Sequence, residues 1–231
     1  MKTIGMLGGM SWESTATYYR ILNEGIKSAL GGFHSARIAM VSVDFDEMEK
    51  LQHTGGWEQM ARLLGAAAKS VEAAGADFLL ICTNTMHKVA PQIEQAISIP
   101  LLHIADATAE QLVRDRISCV GLLGTQFTME QDFYKRRLTE KFGIKVVIPD
   151  VGDRELVHEV IYDELCMGKI TDNSRSSYLQ IIDKLKQHGA EAVVLGCTEI
   201  ALLVQQAHTP VPLYDTTEIH AQQAIRYALA D

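Results

Sequence analysis

The sequence lacks an uninterrupted apolar run of the roughly 18 residues that a membrane-spanning helix requires. Its first residues, Met-Lys-Thr-Ile-Gly-Met-Leu-Gly-Gly-Met, lack the length and the small-residue cleavage site of a secretory signal peptide. Basic residues are also in the minority, since the formal net charge is −8, which disfavours nonspecific binding to nucleic acids or anionic membranes. We therefore expect a cytoplasmic protein that binds neither nucleic acid nor membrane.

Cysteine is scarce as well, with four residues in 231 and none in a Cys-x-x-Cys pair. So few cysteines do not make the disulfide framework of a small secreted domain, and free thiols are expected. No two histidines or carboxylates have the spacing of a metal site. Neither a Gly-x-Gly-x-x-Gly motif nor a Gly-Lys-Ser/Thr phosphate loop occurs. The sequence thus predicts no metal and no other cofactor.

What the chain does contain is an internal repeat. Residues 75–85 read GADFLLICTNT, and residues 189–199 read GAEAVVLGCTE, without a gap between them. Residues 4–9, IGMLGG, resemble VGLLGT at 120–125, and Ile-Pro-Leu-Leu later matches Val-Pro-Leu-Tyr in the same order. Several ordered matches at a constant separation indicate a duplication, so we predict two similar halves.

Each half alternates short apolar runs with longer helical patterns. Apolar runs without polar alternation are typical of parallel strands buried on both faces, and strands alternating with helices favour right-handed crossovers. Strands are predicted at 3–7, 36–43, 78–82, 101–104, 119–123, 145–148, 192–195 and 213–214. Helices are predicted at 14–30, 58–74, 107–114, 128–142, 154–166, 174–188 and 217–230.

These patterns predict an α/β fold with two pseudo-symmetric lobes, each a parallel β-sheet flanked by helices. The N-terminal lobe is expected to comprise residues 1–98 and 210–231, and the C-terminal lobe residues 99–209. Ligands of open parallel sheets bind beyond the carboxyl ends of the strands. Small and hydroxyl residues follow several predicted strands, where free N–H groups and the helix dipole favour a bound carboxylate or phosphate. We therefore expect an active site in the cleft between the lobes.

The repeat aligns Thr83 with Cys197, which places the two on opposite walls of the expected cleft. Cys197 is open to two interpretations, a small buried residue at a strand end or a thiolate base or nucleophile. A helix N-terminus lowers a thiol pKa from its free value of about 8.5, and this favours the second interpretation. The other three cysteines, Cys82, Cys119 and Cys166, are predicted to be structural.

Four motifs lie at the predicted strand ends: Gly-Gly-Met-Ser-Trp-Glu at 8–13, Thr-Asn-Thr-Met-His at 83–87, Leu-Leu-Gly-Thr at 122–125 and Gly-Cys-Thr-Glu-Ile at 196–200. Together they resemble the cofactor-independent aspartate/glutamate racemase family, and the resemblance covers nearly the whole chain. It implies two pseudo-symmetric α/β lobes with the active site between them. It also implies an amino-acid substrate, no cofactor and a homodimer.

The resemblance further implies a two-base mechanism with one departure. Family members generally carry one cysteine on each wall; one thiolate removes the α-proton and the opposite thiol returns a proton. Cys197 matches this pattern, whereas Thr83 stands where the first cysteine is expected. Because a threonine hydroxyl does not ionise near neutral pH, we expect Cys197 to deprotonate the L enantiomer and action on the D enantiomer to be weak or absent.

Substrate-binding residues are implied around this catalytic pair of Cys197 and Thr83. Lys169 matches a family position that can reach an acidic side chain, which favours aspartate or glutamate as substrate. The arginine that some aspartate racemases carry after the second strand is not evident in this chain. Some of these residues could instead cap helices or pack in the core. The predicted substrate-binding residues are Met10, Ser11, Gln52, Asn84, Thr85, Thr125, Lys169, Thr198 and Glu199.

Two alternatives remain open at the level of sequence. A lone thiol suits a decarboxylase or isomerase of a small dicarboxylate, because one proton transfer is enough for such a reaction. A non-catalytic amino-acid-binding protein would retain the site without turnover. Retention of Cys197 within Gly-Cys-Thr-Glu argues against the second alternative.

Overall fold

The computed structural model describes residues 1–230, which form two compact units. Unit 1 comprises residues 1–104 and the chain from His220 onward, and unit 2 comprises residues 105–219. Each unit contains one four-stranded sheet in which every strand pair is parallel. The predicted α/β fold with two parallel sheets is confirmed. None of the helices within residues 1–230 is long and apolar enough to cross a membrane.

The two sheets have the same strand order. In unit 1 the strands are β1 (Ile4–Gly8), β2 (Ile38–Ser42), β3 (Phe78–Ile81) and β4 (Leu101–Leu102), ordered β2-β1-β3-β4. In unit 2 they are β5 (Cys119–Gly124), β6 (Lys145–Val147), β7 (Ala192–Gly196) and β8 (Leu213–Asp215), ordered β6-β5-β7-β8. All eight predicted strands are present, with ends shifted by a few residues at most. The identical order is what a duplicated half predicts.

Helices connect successive strands and flank the sheets. They are α1 (Trp12–Leu30), α2 (Phe45–Thr54), α3 (Trp57–Ala73), α4 (Ala90–Ala96), α5 (Ile104–Arg114), α6 (Gln126–Glu130), α7 (Asp132–Arg136), α8 (Val151–Glu159), α9 (Asp172–Gln187), α10 (Ile200–Leu203) and α11 (Thr216–Leu229). Short 3₁₀ turns occupy Thr85–Val89, Leu165–Met167 and Gln206–His208, and π turns occupy Arg137–Lys141 and Val160–Glu164.

The central strands are apolar because both faces of each sheet are covered. In β3, Leu79 and Ile81 pack in one hydrophobic cluster with α3, whereas Phe78 and Leu80 pack in a second cluster with α1 and α11. All four side chains are fully buried. Since successive strand residues point to opposite faces, a strand covered on both sides has no polar alternation. Each such side chain contributes about 1.5–3 kcal/mol through burial.

Two predicted helices are interrupted. The segment predicted as one helix at 128–142 contains α6, α7 and a π turn, because Gln131 between α6 and α7 has extended backbone angles of φ −81° and ψ 153°. The segment predicted at 154–166 begins as α8 and continues as a π turn and a 3₁₀ turn that ends at Gly168, whose φ is +71°. The apolar period alone does not reveal these changes in hydrogen-bond pattern.

Three helices were not expected from the apolar pattern, namely α2, α4 and α10. The signals for α2 are local, since the Asp44 side chain accepts a hydrogen bond from the N–H of Asp46 and Gly55 ends the helix with a φ of +73°. Only Met48 and Gln52 of α2 are buried, so the helix has a narrow apolar face and a weak 3.6-residue period.

The units end slightly further along the chain than the lobes expected from the sequence. Strand β4 pairs with β3, and this pairing keeps residues 101–102 in unit 1. Strand β8 pairs with β7, and this keeps residues 213–215 in unit 2. The difference arises because each half of the repeat ends with its own fourth strand.

Candidate active site

The first group of predicted site residues follows β1 in unit 1. Ser11 is the N-cap of α1, and its Oγ accepts a hydrogen bond from the backbone N–H of Ser14 at 3.3 Å. The N–H of Gly9 donates to the hydroxyl of Thr15 at 2.8 Å, which ties the loop to the first turn of the helix. Both Ser11 and Thr15 are buried. Capping of this type stabilises the helix start by about 1 kcal/mol.

Gly9 has a backbone that accepts no other residue without displacement. Its φ is +93°, in the left-handed region that glycine adopts readily. A Cβ at this position would lie 2.1 Å from the carbonyl oxygen of Val43. The loop after β1 therefore passes close to the end of β2, and glycine is required for this approach.

The second group of site residues in unit 1 follows β3. The strand pairing extends to Cys82, whose N–H donates to the carbonyl of Leu7 at 2.9 Å. Thr83 is half-buried, whereas Asn84 and Thr85 are buried at the start of the 3₁₀ turn. Cys82 is fully buried, and burial raises the pKa of its thiol. This environment fits the structural role predicted for Cys82.

Met10 and Gln52 both lie against the core of unit 1. Met10 is 3% exposed and belongs to the hydrophobic cluster that also contains Met48 and Met86. Gln52, on α2, is 4% exposed and its side-chain amide donates to the sulfur of Met86 at 3.5 Å. The structure therefore brings these two predicted substrate-binding residues to one apolar cluster.

Unit 2 presents the corresponding group after β7. Gly196 ends the strand, and a Cβ there would lie 2.8 Å from the carbonyl oxygen of Leu123 on β5. Cys197 and Thr198 follow and are half-buried, and Glu199 is 7% exposed. The close approach of the two strands therefore sets the backbone position immediately before the thiol.

Cys197 forms a hydrogen-bonded pair with Glu199. The thiol donates to the Glu199 carboxylate, with Sγ 2.9 Å from Oε2. Burial and the negative charge of Glu199 raise the pKa of the Cys197 thiol well above its usual range. The expectation of a lowered pKa is wrong in its net direction. The backbone N–H of Glu199 at the start of α10 does lower the pKa, but burial and the Glu199 carboxylate, which is in direct contact, outweigh it. The thiol is therefore protonated at neutral pH, with its proton directed at Glu199.

Two hydroxyl residues complete the edge of the sheet in unit 2. Thr125, after β5, is buried and caps α6 by accepting from the N–H of Thr128 at 3.3 Å. Thr198 contacts Thr217 through hydroxyl oxygens 3.0 Å apart. Thr217 is 1% exposed and lies at the start of α11, directly after β8. Ser11 and Thr125 are thus equivalent caps in the two halves.

The chain is similar to known proteins over its whole length. The family model described as Asp/Glu/hydantoin racemase matches residues 7–224. The chain belongs to this racemase family. A proposed Asp/Glu racemase from Yersinia pestis is 54% identical, with a TM-score of 0.94 and complete coverage of both chains. An aspartate racemase homologue from Pyrococcus horikoshii OT3 is 33% identical, with a TM-score of 0.87 and complete coverage of both chains.

A curated relative extends the comparison to a racemase of wider substrate range. The broad specificity amino-acid racemase RacX of Bacillus subtilis is 22% identical over 232 residues, covering 98% of this chain and 98% of its own length. The family resemblance inferred from the four motifs is therefore confirmed, and this racemase-family member is related to enzymes that act on amino acids.

Lys169 of this family member differs from the buried site residues in its exposure. It is exposed and follows Gly168, and its backbone N–H donates to the carbonyl of Glu164 at 2.8 Å. The neighbouring Glu164 carboxylate accepts from the Ser174 hydroxyl at 2.6 Å. Lys169 therefore lies on a turn at the surface of unit 2, and the backbone hydrogen bond to Glu164 fixes this turn.

Sequence reasoning missed Thr217 in this family member. The signal was available, because Val-Pro-Leu-Tyr at 211–214 repeats Ile-Pro-Leu-Leu at 99–102 and thus marks a strand. Asp215 is the last residue of that strand, β8, and its carboxylate accepts from the N–H of Thr217 at 2.9 Å, which caps α11. Thr217 comes shortly after a predicted strand and the Asp that caps the next helix. A hydroxyl at such a position lies at the carboxyl edge of the sheet.

Proposed function

We propose that this protein is a cofactor-independent racemase of acidic amino acids in which Cys197 removes the α-proton of the L enantiomer. The observation that carries the proposal is the Cys197 thiol at the carboxyl end of β7, hydrogen-bonded to Glu199 at 2.9 Å. A thiol at this edge is positioned where ligands of parallel sheets bind. Family membership supports amino-acid racemisation as the reaction class.

The proposed step at Cys197 is a single proton transfer. Once the resting thiol has released its proton to solvent, the thiolate takes the α-proton of the L-amino acid, and the electron pair of the C–H bond passes into the α-carboxylate. The products of this step are a neutral thiol and a carbanionic intermediate. Thr198, with its hydroxyl 3.0 Å from Thr217, is proposed to hold the α-carboxylate from this side.

We assign the return of a proton to the opposite face of the substrate to Thr83 and the two residues that follow it. Asn84 and Thr85 are buried beside Thr83, and we propose that they hold the substrate together with the caps Ser11 and Thr125. A threonine hydroxyl does not ionise near neutral pH, so Thr83 acts as a weak donor or relays a proton from water. Action on the D enantiomer, which would require Thr83 to be the base, is weak or absent.

Acidic substrates are proposed on the basis of Lys169 and of the relatives. The exposed Lys169 can pair with a distal carboxylate, and the proposed Asp/Glu racemase of Yersinia pestis is 54% identical to this chain. Met10 and Gln52 are proposed to support the site from the core of unit 1. A cytoplasmic homodimer is expected for the assembled protein.

The proposed function is tested with a panel of L- and D-amino acids incubated with the protein in deuterated water. Mass spectrometry after chiral separation measures α-deuterium in each enantiomer. We expect exchange into L-aspartate and L-glutamate, less exchange into neutral L-amino acids, and a slow appearance of D product. Carbon dioxide release from substituted malonates without exchange would instead support the decarboxylase. Ligand binding without exchange would support the binding protein.

The pH dependence of L-exchange is expected to depend on Glu199. Because the carboxylate charge raises the pKa of Cys197, the thiolate fraction and hence kcat/KM for exchange should increase as the pH rises above neutral. Replacing Glu199→Gln removes the charge but keeps an acceptor oxygen, so the increase should move to lower pH. Profiles of kcat/KM against pH for the two proteins measure this shift. An unchanged profile would mean that Glu199 does not control the thiol.

A further inference from the structure

A buried histidine, His87, is hydrogen-bonded to the backbone of Thr83. His87 is 2% exposed, on the 3₁₀ turn that follows Thr83, and its Nδ1 is 2.8 Å from the Thr83 carbonyl oxygen. A carbonyl oxygen only accepts, so Nδ1 carries the proton and donates it. The other ring nitrogen, Nε2, accepts from the backbone N–H of Ile104 at 3.2 Å. His87 therefore joins Thr83 to the first residue of α5.

Two further histidine rings lie beside the ring of His87. The His103 ring is tilted against it with a centroid distance of 4.4 Å, and the His220 ring lies edge-on at 6.0 Å. His220 is itself fixed, since its Nε2 donates to the Leu102 carbonyl and its Nδ1 accepts from the Tyr18 hydroxyl, both at 2.8 Å. The two hydrogen bonds of His87 itself, to Thr83 and from Ile104, give its ring one orientation and one tautomer.

The surroundings of His87 and His220 favour the neutral form of both imidazoles. Burial, together with neighbouring His103 and His220, holds the pKa of His87 well below its usual range, so Nε2 remains an acceptor at neutral pH. Burial likewise lowers the pKa of His220 to about 4. Within residues 1–230, no group of three or more His, Cys, Asp or Glu side chains is arranged to hold a metal ion.

We propose that His87 is a positioning residue, which fixes the backbone of Thr83 and thereby controls proton return on the Thr83 face of the substrate. The inference rests on the proposed function. The bond to the Thr83 carbonyl restrains the peptide plane between Thr83 and Asn84, and the allowed side-chain rotamers follow the backbone angles. A displacement of about 1 Å at a reacting group can lower a rate by about 10²-fold.

The inference is tested with variants that separate the two hydrogen bonds of His87. Asparagine places an amide nitrogen near the position of Nδ1, so His87→Asn keeps the donor to Thr83, whereas His87→Leu removes both bonds. The readout is the ratio of D product formed to deuterium exchanged into the L substrate. We expect His87→Leu to lower this ratio at least about tenfold and His87→Asn to restore it to near the wild-type value.

Exchange into the L enantiomer is the internal control, because it depends on Cys197 in unit 2. It should stay within about twofold of wild type in each variant, which also shows that the protein is folded. His220→Leu is the matched control, since it removes a buried histidine of the same cluster that has no bond to Thr83. It should leave the ratio unchanged.

The outcomes separate the inference from the proposed function. If wild-type protein exchanges no L-amino acid, the proposed function fails irrespective of His87. If L-exchange persists but the ratio is the same in His87→Leu, or if His220→Leu lowers it equally, the positioning role is overturned. The same His87 and His220 variants are also made in protein that carries Thr83→Cys. In that protein the ratio compares deuterium exchanged into the D enantiomer with deuterium exchanged into the L enantiomer.

Discussion

Replacement Cys197→Ser is expected to lower α-proton exchange from L-aspartate and L-glutamate by about 10²- to 10⁴-fold, the usual contribution of a general base. The substitution keeps a small polar side chain beside Glu199 but removes the ionisable thiol. A serine hydroxyl does not form an anion in useful amount near neutral pH. Deuterium incorporation into the L substrate, measured at several enzyme concentrations, gives the rate ratio directly.

Cys119→Ser is the matched control for this result. Cys119 begins β5, at the amino end of the strand, and is half-buried like Cys197. It lies at the opposite end of its strand from the carboxyl edge, so Cys119→Ser should leave L-exchange within about twofold of wild type. The variant also tests whether removing a thiol has a general effect on the protein. Equal activity of wild type and Cys197→Ser would contradict the assignment of Cys197 as the base.

Replacement Thr83→Cys is expected to raise exchange into the D enantiomer by about 10²-fold or more. The new side chain follows β3 at the position that the repeat aligns with Cys197, and it supplies a thiol with a free pKa of about 8.5. It therefore provides the base that the Thr83 hydroxyl cannot. The measurement is deuterium incorporation into D-aspartate and D-glutamate, with L-exchange recorded in the same samples.

Thr83→Ser is the control for the introduced thiol. Serine keeps a hydroxyl and a similar size, so D-exchange should remain as weak as in the wild type. If Thr83→Cys gave no more D-exchange than Thr83→Ser, the lack of a thiol at this position would not be the cause of the asymmetry. The surrounding Asn84 and Thr85 would then need to be considered as the limiting groups.

Much of the fold was predictable because a strand that is buried on both faces is apolar at every position. The run at 78–82 is apolar at every position, and in β3 its side chains divide between two hydrophobic clusters. The helix α2 was not predictable from periodicity, because only Met48 and Gln52 face the core. Its start and end depend instead on the Asp44 cap and on Gly55, which are local signals.

The location of Thr83 and Cys197 at the carboxyl ends of strands was predictable, whereas the electrostatics around Cys197 was not. The repeat and the strand ends led to Thr83, Cys197 and their neighbours without any structure. The pKa of Cys197 is raised in part because the side chain of Glu199 turns back toward the thiol. The spacing of the two residues in the sequence does not predict this contact. The bonds of His87 to Thr83 and Ile104 likewise join residues that only the folded chain brings together.

The asymmetry that we propose between the enantiomers must be measured by proton exchange. The equilibrium constant between L and D enantiomers is one, so any catalyst must have the same kcat/KM for net racemisation in both directions. Exchange with solvent is free of this constraint, since a proton removed by Cys197 can be replaced by a deuteron on the same face. Exchange therefore reports each base separately.

The most direct test of the account is deuterium exchange of the unmodified protein with each enantiomer of aspartate and glutamate, in separate reactions. We predict rapid incorporation into the L enantiomer, with the L configuration largely retained at early times, and little or no incorporation into the D enantiomer. Equal incorporation into both enantiomers, or incorporation into the D enantiomer alone, would contradict the assignment of Cys197 as the single thiol base.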